Sequence, residues 1–157
     1  MTGKHPPRGF RGPWLALTLA FAAHVADEAL TDFLALYNPA VLRLREQVPW
    51  LPLPTFSFEL WISLLALAVV VLGALTPLAG PGAWGLVIVG RCYAATMLLN
   101  GAAHLTASAL AQTWLSGSVS SPLLITAATW LWVRMPSVAA ARHRRDVRIH
   151  PPSVKSS

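Results

Sequence analysis

Apolar residues fall into four runs separated by short polar or proline-rich breaks. The first extends from Trp14 to about Tyr37, the second from about Phe56 to Leu75, the third from about Ala83 to Ala109, and the fourth from Pro122 to Val133. A helix of ~20 apolar residues crosses ~30 Å of hydrocarbon, which the first three runs satisfy and the fourth approaches once turn residues join it. Asn38-Pro39 is expected to end the first helix, because the residue before a proline is pushed out of the helical region. Pro49, Pro52 and Pro54 forbid a long regular helix before Thr55, although Val41 to Trp50, with Arg43, Arg45 and Glu46 interspersed, suits a short amphipathic piece in the membrane interface. Pro77, Gly80, Pro81 and Gly82 make a tight turn, and Gln112 to Ser121 is a polar, uncharged one. The fold class this pattern predicts is all-α: a polytopic membrane protein, a four-transmembrane-helix bundle with short connectors. Residues 14–135 form the membrane domain, between a disordered basic N-terminus (1–13) and a disordered basic C-terminal tail (136–157).

The start of the first run also has the form of a signal peptide, with basic residues, then Trp14 to Phe21, then small residues around Ala20-Phe21-Ala22. The apolar pattern resumes at Ala29-Leu30 and again from Phe33 to Tyr37, so an uncleaved helix is expected. Composition agrees with a membrane protein: of 157 residues, one domain's worth, 55% are hydrophobic and only 11% charged. Nine of the twelve Lys and Arg residues precede the first apolar run or follow the last, Arg134 among them, against Arg43 and Arg45 in the first connector. Positive residues stay inside, so both termini are expected to be cytoplasmic, in the plasma membrane of a bacterium given the Ala/Leu/Pro/Arg-heavy composition. Flanking charge of this kind, without interleaved aromatics, argues against a nucleic-acid partner. Tryptophans near the span ends suit an interfacial belt. The single cysteine, Cys92, excludes an intrachain disulfide and is expected to be inert packing.

Against this apolar background the polar positions stand out. Four of the six acidic residues, Asp27, Glu28, Asp32 and Glu59, lie inside the apolar runs, as do His24, His104 and Asn100. A carboxylate near the bilayer centre costs at least ~2.5–3.5 kcal/mol, so such residues are rare and usually functional. Helical spacing places His24, Asp27, Glu28 and Thr31 on one stripe, and Tyr93, Thr96, Asn100 and His104 on another. With the termini inside, helix rise puts His24 ~15 Å, Glu28 ~21 Å and Asn100 ~24 Å from their inner ends, and Glu59 ~5 Å below its outer end. All therefore fall in the outer half of the bilayer, where one cavity can hold them. Arg91 is half a turn away from Asn100 and is expected to reach the cytoplasmic headgroups instead.

The motifs His24-Val25-Ala26-Asp27-Glu28 and Asn100-Gly101-Ala102-Ala103-His104 resemble those of the HXXEE-domain family of small integral membrane proteins. Aspartate stands at position 27 in place of the first glutamate, which keeps the charge and shortens the reach. The resemblance covers about residues 14 to 133 and implies a multi-helix membrane fold with an enzymatic role.

From the residues themselves, His24, Asp27, Glu28 and His104 are candidate metal ligands, with Glu59 a further one. Asn100 is a ligand or a substrate-orienting group, and Asp27 or Glu28 can instead serve as general base. This mixed nitrogen and oxygen set suits a divalent metal, zinc or iron, with manganese also compatible. The expected function is a metal-dependent enzyme acting on a lipid or other hydrophobic substrate, for which hydrolysis is one reaction class. Two alternatives stand beside it. One is a metal-free acid/base isomerase or cyclase of an isoprenoid-like lipid, and the other a proton- or ion-coupled small transporter. Membrane lipids are the expected partners, and a homo-oligomer is compatible with the chain.

Overall fold

The computed structural model describes residues 9–80 and 83–140 and, among them, contains helices and no strands. Five helices follow in order: α1 (Arg11–Leu30), α2 (Phe33–Gln47), α3 (Phe58–Leu75), α4 (Trp84–Ala111) and α5 (Ser121–Arg134). A short 3-10 turn, Thr76–Leu78, extends α3. Two helices are long and apolar enough to cross a membrane, α3 with its 3-10 extension and α4. Residues 1–8 and 141–157, which hold most of the two tails expected to be disordered, lie outside the described residues.

The single first span expected from Trp14 to Tyr37 is in fact two helices. The chain breaks at Thr31 and Asp32, where Asp32 adopts a left-handed conformation (φ 55°, ψ 53°) of the kind short polar residues tolerate. The Asp27 carbonyl accepts both the Thr31 amide (3.0 Å) and Thr31 Oγ1 (2.5 Å), which closes the last turn of α1. Asn38-Pro39 does not terminate a helix. Pro39 sits inside α2, and the Asn38 side chain binds the descending connector through both its groups, Nδ2 donating to Phe56 O (2.9 Å) and Oδ1 accepting from Phe56 N (3.1 Å). This tertiary clasp overrides the local preference against a helix before proline. The three later prolines act as expected, and α2 ends at Gln47 before them. At the other end α1 starts at Arg11 rather than Trp14, with Phe10 and Pro13 buried.

Packing follows the spacing of apolar residues. Buried positions on α1 (Trp14, Leu17, Thr18, Phe21, His24, Val25, Glu28) form one stripe at helical period. On α4 the buried residues Val87, Gly90, Ala94, Met97, Gly101, His104 and Ser108 alternate at spacings of three and four, the seam of an interlocking helix pair. That seam packs along α5, which buries Leu124, Ala127, Ala128 and Leu131, while α1 packs on α5 and α3. Trp14 Nε1 donates to Leu72 O at 2.8 Å, serving a carbonyl near the end of α3 and tying α1 to that helix. Residues upstream of the small-residue site at Ala20 to Ala22 are thus part of the core. On α3, by contrast, Trp61 alone is buried among its eighteen residues, and Leu60, Leu64, Leu67, Val70 and Val71 are exposed.

Two expectations change here. Cys92 is exposed on α4 rather than packed, and Tyr93 lies in the core, edge-on to Trp14 (5.9 Å) and Phe21 (6.2 Å), while Thr96 on the same expected stripe is exposed. Arg91, expected to reach the headgroups, donates to Met135 O and Pro136 O with its guanidinium 4.6 Å from the centre of the Trp132 ring.

Gly101 sets how closely α4 approaches α5. A Cβ there would come within 2.7 Å of Ile125 Cγ1 and 3.3 Å of the Ser121 carbonyl. Gly101→Val is expected to destabilise the bundle by ~1–3 kcal/mol through overpacking, lowering the midpoint of thermal unfolding measured in detergent. An unchanged midpoint would refute the close approach.

Candidate metal centre

The stripe of α1 that packs Trp14, Leu17 and Phe21 into the core continues upward to His24 and Glu28, one turn apart. The α4 seam likewise delivers His104 from the opposite side. All three side chains are buried: His24 is 0%, Glu28 5% and His104 8% exposed. Glu28 Oε1 lies 3.0 Å from His104 Nε2 and 3.5 Å from His24 Nε2. The two imidazoles meet edge to face with centroids 5.0 Å apart. One donor atom from each residue falls within 4.8 Å of the other two, the only such group of three or more His, Cys, Asp or Glu side chains found among the described residues.

The rings are fixed from behind. His104 Nδ1 is 2.6 Å from the Ser116 carbonyl, which can only accept, so Nδ1 carries a proton and a neutral ring presents a lone pair at Nε2. For His24, the Asn100 amide Nδ2 donates to Nε2 at 2.8 Å, which places the ring proton on Nδ1, 2.8 Å from Ser120 Oγ. Ser120 Oγ in turn donates to Asp27 Oδ2 at 2.7 Å, and the Ser120 amide donates to the same oxygen at 3.0 Å. Each imidazole is therefore anchored through Nδ1 and points Nε2 toward one carboxylate oxygen. Asn100 already serves the His24 lone pair, but the His104 Nε2 lone pair and the Glu28 carboxylate, 3.0 Å apart, repel each other in a dry interior, so a proton or a metal cation is called for between them.

Most of the anchors come from the segment between α4 and α5. Sequence alone marks it as a polar turn, but it folds inward, and Ser116, Gly117 and Ser118 are buried. Ser116 Oγ donates to Thr31 Oγ1 (2.7 Å), whose own proton goes to Asp27 O, Ser118 Oγ donates to His104 O (3.2 Å), and Ser118 also bonds Ser108. Sequence reasoning missed these serines. Their signal was the density of small hydroxyls from Ser116 to Ser121 in a chain with few other polar side chains.

The residues singled out from sequence divide accordingly. His24, Glu28 and His104 come together, and Asn100 touches His24. Asp27 is half-buried and turns to Ser120, so it is a positioning group and not a direct ligand in this arrangement. Glu59 does not join the site. It is exposed in the first turn of α3, behind the capping hydroxyl of Ser57, where a negative charge is favoured by the helix dipole. Asp32 is likewise exposed at the left-handed junction.

No family model, curated protein or solved structure matches this chain, so the resemblance drawn above rests on its two motifs alone.

Gly117 holds the site together from the loop side. Its φ of +78° disfavours any side chain, and a Cβ there would sit 2.6 Å from His104 Cε1 and 2.7 Å from Nδ1. Gly117→Ala is expected to cost ~1–3 kcal/mol and to displace the His104 ring from the Ser116 carbonyl. Thermal unfolding and the His104 imidazole resonances measure the two effects, and wild-type values in both would count against this role.

Proposed function

We propose that this chain is an integral membrane enzyme in which His24, Glu28 and His104 hold a divalent metal, zinc or iron, and which acts on a hydrophobic substrate borne by the membrane. The observation that carries this reading is the outward anchoring of both Nδ1 atoms with both Nε2 atoms aimed at Glu28 Oε1. Histidines that bind metals characteristically give their other ring proton to a carbonyl, carboxylate or intermediary in this way. Donors around one metal at ~2.0–2.2 Å lie no more than ~4.4 Å apart, so the present group, within 4.8 Å, needs only a slight contraction. Two imidazoles and one carboxylate leave coordination positions open, a set used for catalysis with zinc and with non-haem iron. Such a metal polarises substrate oxygens and lowers the pKa of a bound water, which suits hydrolysis.

The chain's own residues would set up that chemistry. Asp27, through Ser120, holds His24 in the tautomer that presents Nε2 inward. Asn100 occupies that lone pair in the present arrangement, and its amide would be released to orient substrate if His24 Nε2 were to hold a metal. Burial keeps bulk water out and strengthens each electrostatic contact.

For the membrane, the exposed leucines and valines of α3 support a hydrocarbon surround, since a patch of this extent is untenable in water. In this reading α1, α3, α4 and α5 cross the bilayer with both termini cytoplasmic, and α2 lies toward the interface with Arg43 exposed. A second reading rests on the 3.0 Å contact between Glu28 and His104. With a proton in place of a metal, that pair is an acid and a base suited to isomerising or cyclising an isoprenoid-like lipid. Transport fits less well, because the buried titratable groups gather at one level instead of lining a path.

Elemental analysis of protein purified in detergent separates these readings. About one zinc or iron per chain is expected in the wild type, lost in His24→Ala, His104→Ala and Glu28→Gln and retained in Glu59→Ala. Asp27→Asn is expected to weaken metal affinity by ~10–100-fold without abolishing it. A metal-free wild type that still converts lipid, with conversion abolished by Glu28→Gln, would overturn the metal reading in favour of the second. Full metal retention in the histidine variants would sink the proposed ligand set.

A further inference from the structure

Beside the imidazoles lies a cavity of about 240 Å³ lined by Phe33, Tyr37, Phe56, Trp61, Leu64 and Leu65. It is walled by α2, the connector that follows it, and α3. Phe33 is its link to the site, since the ring stacks on Tyr37 (5.4 Å) and Trp61 (5.9 Å) and also packs against His104 (5.6 Å). Asn38 and Tyr37 hold the wall in place, the first by its paired bonds to Phe56 and the second through its hydroxyl to Pro54 O at 3.1 Å. On the far side the lining reaches Leu64, exposed on the same helix as Leu60 and Leu67.

We infer that this cavity receives a single hydrocarbon chain of a membrane lipid, entering from the bilayer between α2 and α3 and bringing its functional end to Phe33 and His104. The inference rests on the reading of His24, Glu28 and His104 as a reactive centre and names the substrate class of that centre. Three observations carry it. The lining is aromatic and aliphatic with no charged side chain, which excludes a polar ligand. Its volume is below the ~300–1,000 Å³ typical of pockets for drug-sized molecules, which favours a slender acyl or isoprenoid chain over a rigid fused-ring sterol. It also runs from the apolar outer surface of α3 to Phe33, whose ring packs on a candidate metal ligand, so a molecule dissolved in the bilayer comes to within one side chain of the centre without passing through water.

Photolabelling of the full chain in phosphatidylcholine nanodiscs, with palmitic acid bearing a mid-chain diazirine, tests this directly. Adducts mapped by mass spectrometry are expected to concentrate on Phe56, Trp61 and Leu65, and to fall by at least about five-fold in Leu64→Trp, whose indole fills the entrance. Phe56→Trp, which fills the cavity from the connector, is expected to do the same. A diazirine-bearing cholesterol is expected to label these positions no more than the rest of α3. Adducts spread evenly over Leu60, Leu67 and Val71, labelling unchanged in both variants, or equal capture of the sterol would each overturn the inference. Metal content measured on the same samples keeps the two proposals apart. Cavity labelling without metal defeats the metal centre alone, and metal without cavity labelling defeats the chain site alone.

Discussion

Glu28 is a carboxylate held inside a helical bundle with an imidazole on either side, and the need to offset its charge governs the construction around it. In apolar surroundings an unpaired carboxylate is costly enough to distort or unfold the protein, and removing one partner of a buried charged pair typically costs ~3–5 kcal/mol. His24 meets that need from one turn below on the same helix, and His104 from across the bundle. The two histidines are constrained in turn, because an imidazole offers a useful Nε2 only when its Nδ1 proton has somewhere to go.

That requirement explains the inward fold of the segment between α4 and α5. A main-chain carbonyl at Ser116 and a hydroxyl at Ser120 receive the two Nδ1 groups, and Asp27 secures Ser120 by two bonds. Small residues are needed because the loop lies directly against the His104 ring, and at Gly117 even a methyl group would collide with it. The loop therefore acts as the outer wall of the site, while α1 and α4 supply the groups that converge within.

Scaffold and site share the same helix faces. On α1 one stripe packs Trp14, Leu17 and Phe21 at one end and presents His24 and Glu28 at the other. On α4 the interlocking seam that packs Ala94 and Met97 goes on to place His104. Rigidity of the core is thereby transmitted to the imidazoles, as precise placement of reactive groups requires. The opposite holds at α3, which buries little beyond Trp61 and lines the cavity next to Phe33 with Trp61, Leu64 and Leu65.

Several features were fixed by the sequence because they depend on local chemistry and helical period. The apolar runs defined three helices closely and the core of a fourth, the prolines after Gln47 closed α2, and helical spacing put His24, Glu28 and His104, which meet, in one candidate set with Asp27, Asn100 and Glu59. Other features needed the folded chain. A proline in mid-helix and a break at Thr31 and Asp32 invert local preferences, and they stand because Asn38 clasps Phe56 and Thr31 reaches Ser116, contacts between residues far apart in the chain. Asp27 and Glu28 are adjacent acids with equal claims in the sequence, yet successive residues on a helix point ~100° apart, so one faces Ser120 and the other the imidazoles. Glu59 shared their expected depth in the membrane, but depth fixes only one coordinate, and rotation about α3 leaves it outside. Period and composition decide which residues leave solvent, and only the packing of helices against one another decides which of them touch.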